Sequence, residues 1–343
     1  MVSVYQHQPV LLAPALDALL SDLQTAPPRV FVDGTFGRGG HSKALLARLG
    51  ASDRLFGIDR DPEAIAAGQQ LANEDARFCM LSGPFSQLLS LLHEQAVDRI
   101  DGLLLDIGVS SPQLDDPSRG FSFMRDGPLD MRMDTRGGLS AADWLAEAGI
   151  DMIREVIARY GEERFALQIA KAIDARRQVR PLRTTGELAE LVASVVRTRE
   201  KGQHPATRTF QAIRIHINQE LEELARALAV SLTLLKPGGR LAVISFHSLE
   251  DRLVKQFMAA GRRTPEALAR LPLRQEQLPP PFWTRVWRVL PDDAEIAANP
   301  RARSAVLRVA ERSEVRVTPE QARACLPPPL IDSALSTHRR RRA

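Results

Sequence analysis

Apolar positions in the first hundred residues fall into short runs that end in polar or glycine-rich turns: RVFVDG from Arg29, DRLFGIDRD from Asp53, RFCMLSGPF from Arg77 and IDGLLLDIG from Ile100. Between them lie GGHSKALLARLG and DPEAIAAGQQLANE, whose apolar residues recur three and four apart. Short apolar runs bounded by turns suit strands buried on both faces, and the three-four spacing suits amphipathic helices. The alternation therefore predicts βαβ units and a parallel sheet covered by helices on both sides.

The pattern then changes. From about Gly108 to Thr135, Pro, Gly, Ser and Asp crowd together as in a loop, and from Ser140 to about Leu235 the spacing is helical throughout. After the helix stop KPGG, strands are predicted again at GGRLAVISFHS, FWTRVWRVL and ARSAVLRVAER. The simplest topology is a doubly wound, mainly parallel, Rossmann-like α/β domain made of residues 1–108 and 216–312. A helical insertion, 109–215, then separates its fourth and fifth parallel strands. Residues 313–343, Pro-rich and then Arg-rich, are expected to form a disordered tail.

Length and composition narrow the class. A chain of 343 residues that is 44% hydrophobic can bury one large core and carry a second lobe. Its two cysteines, Cys79 and Cys325, stand far apart with no CxxC spacing, which argues against a disulfide framework or a zinc ribbon and for a reducing cytoplasm. No metal site is expected. The N-terminal stretch lacks a basic start and is broken by Pro9 and Pro14, and no apolar run reaches the roughly 20 residues of a membrane span. The expectation is a cytoplasmic protein with no membrane partner. A net charge of +4 is modest, but from Met152 to Ile215 there are 13 Lys/Arg against 7 Asp/Glu, and the chain ends in HRRRRA. That surplus points to an anionic partner for the insertion, although charged helix faces are often merely solvated.

Ligands of open α/β sheets bind beyond the carboxyl ends of the strands. Here those ends carry Asp33, Asp59, Gly83 to Phe85, Asp106 and His247. The first turn, DGTFGRGGHS, fits a dinucleotide fingerprint only in part: Gly37-Arg38-Gly39-Gly40-His41-Ser42 has Ser in place of the third glycine, and it lacks the Lys of a phosphate-binding P-loop. Asp33 would also repel a pyrophosphate. S-adenosylmethionine carries no phosphate; its sulfonium, ammonium and ribose hydroxyls each suit a carboxylate or a close backbone. Asp59, about 20 residues past the glycine turn, stands where an acid takes the ribose hydroxyls, a role it would play equally for a nicotinamide dinucleotide.

The fourth strand separates the two. LLLDIGVSSPQLDD places Ser110, Ser111, Pro112 and Gln113 just past Asp106, where amino-group methyltransferases keep a short polar-Pro motif. An exocyclic base amine is a poor nucleophile until oxygen acceptors take its hydrogens, after which in-line attack on the sulfonium methyl needs positioning and desolvation. C5 methylation of cytosine would instead need a nucleophilic Cys, and neither cysteine is well placed. A DNA amino-methyltransferase would usually have an aromatic residue after the proline, where Gln113 stands.

At this point DGTFGRGGHS, IDRDPEAI, GPFS, DIGVSSPQLDDPSRGFSFMRDGPLDMRMD, YGEERFA, HPATRTFQAIRIHIN, KPGGRLAVISFHSLEDR and NPRARSAVLRVAER together resemble the RsmH (MraW) family from about His7 to Arg312. The resemblance implies a class I S-adenosylmethionine-dependent methyltransferase acting on the N4 amine of a cytidine in the decoding region of 16S ribosomal RNA, within the small ribosomal subunit. By position it implies cofactor contacts at Gly39, Gly40, His41, Asp59, Phe85, Asp106 and Gln113, with Asp33 a second candidate and Phe85 near the adenine. Ser110, Ser111 and Pro112 would position the base. His247 would orient the base or hold its own loop. The Arg-rich loop from Arg119 to Arg136, ARRQVRPLR, and RTREKGQHPATRTFQAIR, which includes Arg208 and Arg214, would grip RNA phosphates. The acidic residue usual after VLL is replaced here by Ala13 and Pro14, and residues 260–290 carry no clear family motif.

Overall fold

The computed structural model describes residues 9–23, 25–196, 204–263, 277–329 and 331. The described parts of 1–108 and 221–327 form one unit, and those of 109–220 belong to a second. In chain order the first unit starts with α1 (Leu12–Leu20), β1 (Val30–Asp33), α2 (Gly40–Leu46), β2 (Arg54–Asp59), α3 (Pro62–Glu74), β3 (Phe78–Ser82), α4 (Leu88–His93) and β4 (Ile100–Asp106). The second unit carries α5 (Ser111–Asp115), α6 (Ala141–Glu147), α7 (Ile150–Gly161), α8 (Ala166–Val179), α9 (Thr185–Val195) and α10 (Thr207–Asn218). The chain returns through α11 (Glu220–Leu234), β5 (Leu235–Ser245), α12 (Ser248–Ala260), β6 (Trp283–Val289), α13 (Asp293–Ala298), β7 (Val306–Arg312) and α14 (Pro319–Ala324).

The seven strands form one sheet in the order β3-β2-β1-β4-β5-β7-β6. The first five pair in parallel, and β7 runs antiparallel to both β5 and β6. Alternate residues of each central strand feed different cores, as the period of two requires. Val32, Phe56, Leu103, Leu105 and Val243 pack with Leu92, Leu228 and Phe257, whereas Phe31, Leu55, Leu104, Ala242 and Ile244 pack with Leu16, Leu19 and Leu45. Burial on both faces is why these strands read as continuous apolar runs. The strand order reverses between β1 and β4, which makes the gap beyond Asp33 and Asp106 the sheet's topological switch point.

Two segments differ from the sequence expectation. The helix α1 forms although Pro14 lies within it, because a proline in the first turn removes no intrahelical hydrogen bond. Residues 313–327, expected as the start of a disordered tail, are packed into the sheet unit: Ser313, Ala322 and Cys325 are buried, and Val317 and Leu326 lie against the core. Arg312 anchors them. Buried at the end of β7, it donates from Nε to Leu232 O (3.0 Å) and from Nη1 to Ser313 O (2.8 Å), and it also reaches Val315 O. Held by these carbonyls, its guanidinium is pushed down to about 10, chiefly by desolvation. Pro319 sits in the first turn of α14 behind a Thr318–Gln321 capping box, a helix start within text that reads as Pro-rich coil. The HRRRRA terminus lies outside the described residues.

The second unit is helical. Gly161 of α7 faces Arg208 of α10 so closely that a Cβ there would lie 2.7 Å from the Arg208 carbonyl, so glycine sets how near the helices cross. Asn218 closes the unit's loop onto α10: its Oδ1 accepts from Met133 N (2.8 Å) and its Nδ2 donates to Met131 O (2.7 Å). The helical pattern reaches Asn218 and resumes at Glu220, a few residues beyond the expected boundary at 215.

Candidate functional site

Local geometry explains most of the DGTFGRGGHS turn. The chain leaves β1 at Asp33, and Gly34 N donates to Leu104 O (2.9 Å), which holds the turn against β4. Phe36 N donates to Ile58 O (3.0 Å), which holds it against β2. Gly39 has φ +74°, in the left-handed region that favours glycine, and a Cβ there would lie 2.6 Å from the Phe36 ring. A Cβ on Gly40 would lie 2.4 Å from Pro9 Cγ. Close packing of the turn therefore accounts for both glycines, and it also leaves the backbone bare where a ligand would approach.

Each strand-end carboxylate has a different environment. Asp33 is fully buried; its Oδ1 accepts from Thr35 N (3.2 Å) and its Oδ2 from Ser42 Oγ (2.7 Å). Burial pushes its pKa up to about 6 against the pull of those hydrogen bonds. The Ser that stands in place of a third glycine is thus the hydroxyl that steadies Asp33. Asp59 accepts from Gly37 N (2.8 Å) and Asp61 N (2.9 Å), joining the glycine turn to the start of α3, and burial raises its pKa as well. Asp106 is the least committed of the three. Its backbone N donates to Thr35 Oγ1 (2.6 Å), but Oδ1 is buried with no hydrogen-bond partner among the described residues, and Oδ2 lies 3.6 Å from His41 Nδ1. Burial, then repulsion from Asp33 and Glu250, holds its pKa well above the usual carboxylate range.

His41 is buried, and its Nε2 has no hydrogen-bond partner among the described residues. Desolvation lowers its pKa to about 4, so at neutral pH the ring is uncharged. Phe85 opens a short 3-10 turn after β3, half-buried against the core, where Gly83 N donates to Asp59 O (2.9 Å). Together β1, β2, β3 and β4 bring Asp33, Gly39, Gly40, His41, Asp59, Phe85 and Asp106 to the same end of the sheet.

The remaining candidates have capping roles. Ser110 is the N-cap of α5, with Ser111 and Pro112 in its first turn; Gln113 N donates to Ser110 Oγ (3.5 Å) and Gln113 Oε1 accepts from Ser110 N (2.9 Å). Gln113 is buried and belongs to the helical unit, whereas the other cofactor candidates belong to the sheet unit. His247 caps α12 in the same way: its Nδ1 accepts from Glu250 N (3.5 Å), and its Nε2 lies 3.0 Å from Glu250 Oε1. Glu250, fully buried, accepts at Oε2 from Phe246 N (2.9 Å) and His247 N (3.3 Å).

Thr35, Ser42, Asp61 and Glu250 were not among the sequence candidates. Two of them left a local signal: Asp61 the Asp-Pro start of α3, and Glu250 the cap-x-x-Glu spacing of His247-Ser-Leu-Glu250.

In the Arg119–Arg136 loop, expected to grip phosphates, the arginines have partners within the protein. Arg119 is buried and donates to the carbonyls of Arg132 (3.2 Å) and Met133 (3.1 Å), while Arg132 pairs with Asp130 and Arg136 with Asp134. Arg214 makes two 2.9 Å hydrogen bonds to Glu220. Arg177 pairs with Asp174, and Arg176 and Arg180 with Glu187. Arg208 donates to Glu162 O (3.2 Å). Exposed cations without a partner among the described residues of this unit are Arg164, Lys171 and Arg183. The RTREKGQ stretch lies outside the described residues.

A sheet end built of buried carboxylates, with a partnerless acceptor on Asp106, suits a ligand with positive charge at one end and hydroxyls at the other. A model of the MraW methylase family matches residues 4–313. The chain belongs to the MraW methylase family. It is 61% identical over 341 residues to ribosomal RNA small subunit methyltransferase H of Bordetella petrii, covering 94% of each chain. It is 57% identical over 312 residues to the protein of the same name from Burkholderia pseudomallei, covering 90% of this chain and 98% of that one. The methyl donor of this methylase is S-adenosylmethionine, and the carboxylate-lined end of the sheet fits its sulfonium, ammonium and ribose. No helix among the described residues is long and apolar enough to cross a membrane.

Proposed function

We propose that this methylase transfers the methyl group of S-adenosylmethionine to the exocyclic N4 amine of a cytidine in the decoding region of 16S ribosomal RNA, with the small ribosomal subunit as its setting. The observation that carries the small-subunit RNA reading is the near full-length identity with enzymes named for that activity. The amine as target is supported by the order Asp106, then Ser110-Ser111-Pro112-Gln113, and by the cysteines. Cys79 lies within β3, and Cys325 is buried with its thiol pKa pushed up. Neither stands at a strand end as the nucleophile of a C5 methylation would.

In this reading Gly39, Gly40, His41, Asp59, Phe85, Asp106 and Gln113 bind the donor. Asp59 takes ribose hydroxyls with the lone pairs its two backbone donors leave unused. Asp106 Oδ1 faces positive charge of the donor, and the buried, neutral His41 excludes water beside it. Ser110, Ser111 and Pro112 position the base, which must be splayed out of its helix to reach the methyl group. When the N4 lone pair forms the new N–C bond, the S–C bond breaks and the sulfur leaves neutral; the amine then gives up a proton. No covalent intermediate with the protein is involved. The cap geometry supports a structural role for His247.

Transfer of labelled methyl from S-adenosylmethionine to small subunits from cells lacking the enzyme tests the reading. Label should enter 16S RNA with the wild-type chain and fall at least about 100-fold with Asp106→Asn, since removing a charge-assisted interaction of about 3 kcal/mol is worth that factor. Label entering neither subunits nor free 16S RNA would refute it.

A further inference from the structure

The chain enters α1 through a residue in an unfavourable conformation. Leu11, buried and bulky, has φ +52°, in the left-handed region that such side chains rarely adopt. Glu295 of α13 holds it there: Leu11 N donates to Glu295 Oε1 (2.6 Å), a partner 284 positions along the chain and in the same unit. Asp292 caps α13 by accepting from Glu295 N (2.8 Å), and a glutamate at this position usually turns back to the backbone of its cap. The Glu295 side chain reaches α1 instead. Because α1 has no side-chain cap and no acid in its first turn, Glu295 supplies its N-terminus with both an acceptor and negative charge. On the other side of Leu11 the chain lies on the glycine turn. A Cβ on Gly40 would lie 2.4 Å from Pro9 Cγ, and Val10 is buried with its backbone against the His41 ring.

The geometry points to Glu295 as a positioning residue for the methyl donor: it pins Leu11 in its left-handed turn and so keeps Pro9 and Val10 seated on Gly40 and His41. The left-handed turn is costly by itself, and a charge-assisted hydrogen bond offsets that cost. Without the carboxylate, Leu11 relaxes toward an ordinary conformation, and Pro9 and Val10, which precede it, lift from the glycine turn. Stability changes little, because strain is released as the hydrogen bond is lost. Donor binding changes more, because Gly40 and His41 have to be in place before the ligand arrives. Glu295 touches neither donor nor base; it acts through the backbone of residues 9–11. This rests on the reading of Gly39, Gly40, His41 and Asp106 as donor contacts and is independent of the nucleic acid methylated.

Isothermal titration of the full chain with S-adenosylmethionine, paired with thermal melting of the unliganded protein, tests it. Glu295→Ala is expected to weaken donor binding about 5- to 20-fold while moving the melting temperature by less than about 2 °C. Glu295→Gln, whose amide oxygen still accepts from Leu11 N, should restore binding to within about threefold of wild type. Saturating donor should slow deuterium exchange at the Leu11 amide of the wild-type chain. A lowered melting temperature with unchanged donor affinity in Glu295→Ala, or a loss of affinity that Glu295→Gln shares in full, overturns the inference. If Glu295→Ala does not fold, the wild-type exchange decides: slowing by donor supports the inference, and indifference to donor overturns it. Asp106→Asn separates the two readings. Weaker binding there, with Glu295→Ala unaffected, overturns the role of Glu295 and leaves the donor site standing; binding indifferent to both Asp106→Asn and His41→Ala overturns the site as well.

Discussion

Asp33 illustrates how a carboxylate is placed against its own preference. It is fully buried and hydrogen-bonded, and its pKa is nonetheless raised from 3.8 to about 6. A raised carboxylate pKa means that its favourable contribution to stability is complete below about pH 3.8 and is lost as pH rises through about 6. Without donor, Asp33→Asn should therefore leave stability nearly unchanged at pH 4 and raise it by about 1–3 kcal/mol at pH 8, read as a shift in thermal midpoint. The upper figure follows from the size of the pKa shift; the lower allows for the amide nitrogen, which needs a partner of its own. A variant destabilised equally at both pH values would show that the Ser42 and Thr35 hydrogen bonds outweigh the burial cost. His41 has the opposite sign. Its pKa is lowered to about 4, so its contribution is present above about pH 6.5 and is lost as pH falls through 4.

Among the elements, α12 separates capping from chemistry. His247→Ala should cost about 0.5–2 kcal/mol, the range for removal of an N-cap, and His247→Asn should recover most of it, because Asn caps as well as any residue. Methyl transfer should follow stability in both variants. A His247→Asn chain with an unchanged melting temperature and strongly reduced turnover would instead place His247 in the chemistry. The same element shows which features the sequence made legible. The parallel strands and their terminal acids could be read because buried runs and strand-end turns are local patterns. Glu250 could be read only as a cap partner, from the His247-x-x-Glu250 spacing; its complete burial comes from tertiary packing. Thr35 and Ser42 escaped for the same reason: their partners, Asp106 and Asp33, come from tertiary structure. α1 and α14 were hidden by prolines that break helices in the interior but start them in the first turn.

For the molecule as a whole, charge counted along the sequence does not separate paired cations from unpaired ones. The Arg119–Arg136 loop looks like a phosphate grip, yet the side chains of Arg119, Arg132 and Arg136 are committed to carbonyls or to neighbouring aspartates. Spacing of two between Asp and Arg, as in Asp130–Arg132 and Asp134–Arg136, is the signal that could have warned of this. Replacing Arg164, Lys171 and Arg183 together by Glu should weaken RNA binding and flatten its salt dependence by about 0.7 for each phosphate no longer gripped. Arg136→Ala, which frees Asp134 from an exposed pair, should change the slope little. Equal effects from the two would mean that the paired arginines exchange their aspartates for phosphates.

Whether the carboxylate-lined end of this sheet delivers a methyl group to a base amine can be read from the RNA itself. Small subunits from cells lacking the enzyme are incubated with the full chain and S-adenosylmethionine, and the nucleosides of their 16S RNA are analysed by mass spectrometry. One new N4-methylcytidine is expected, absent from the Asp106→Asn reaction; methylation at carbon 5 or on ribose, or an unmodified cytidine, would overturn transfer to the amine.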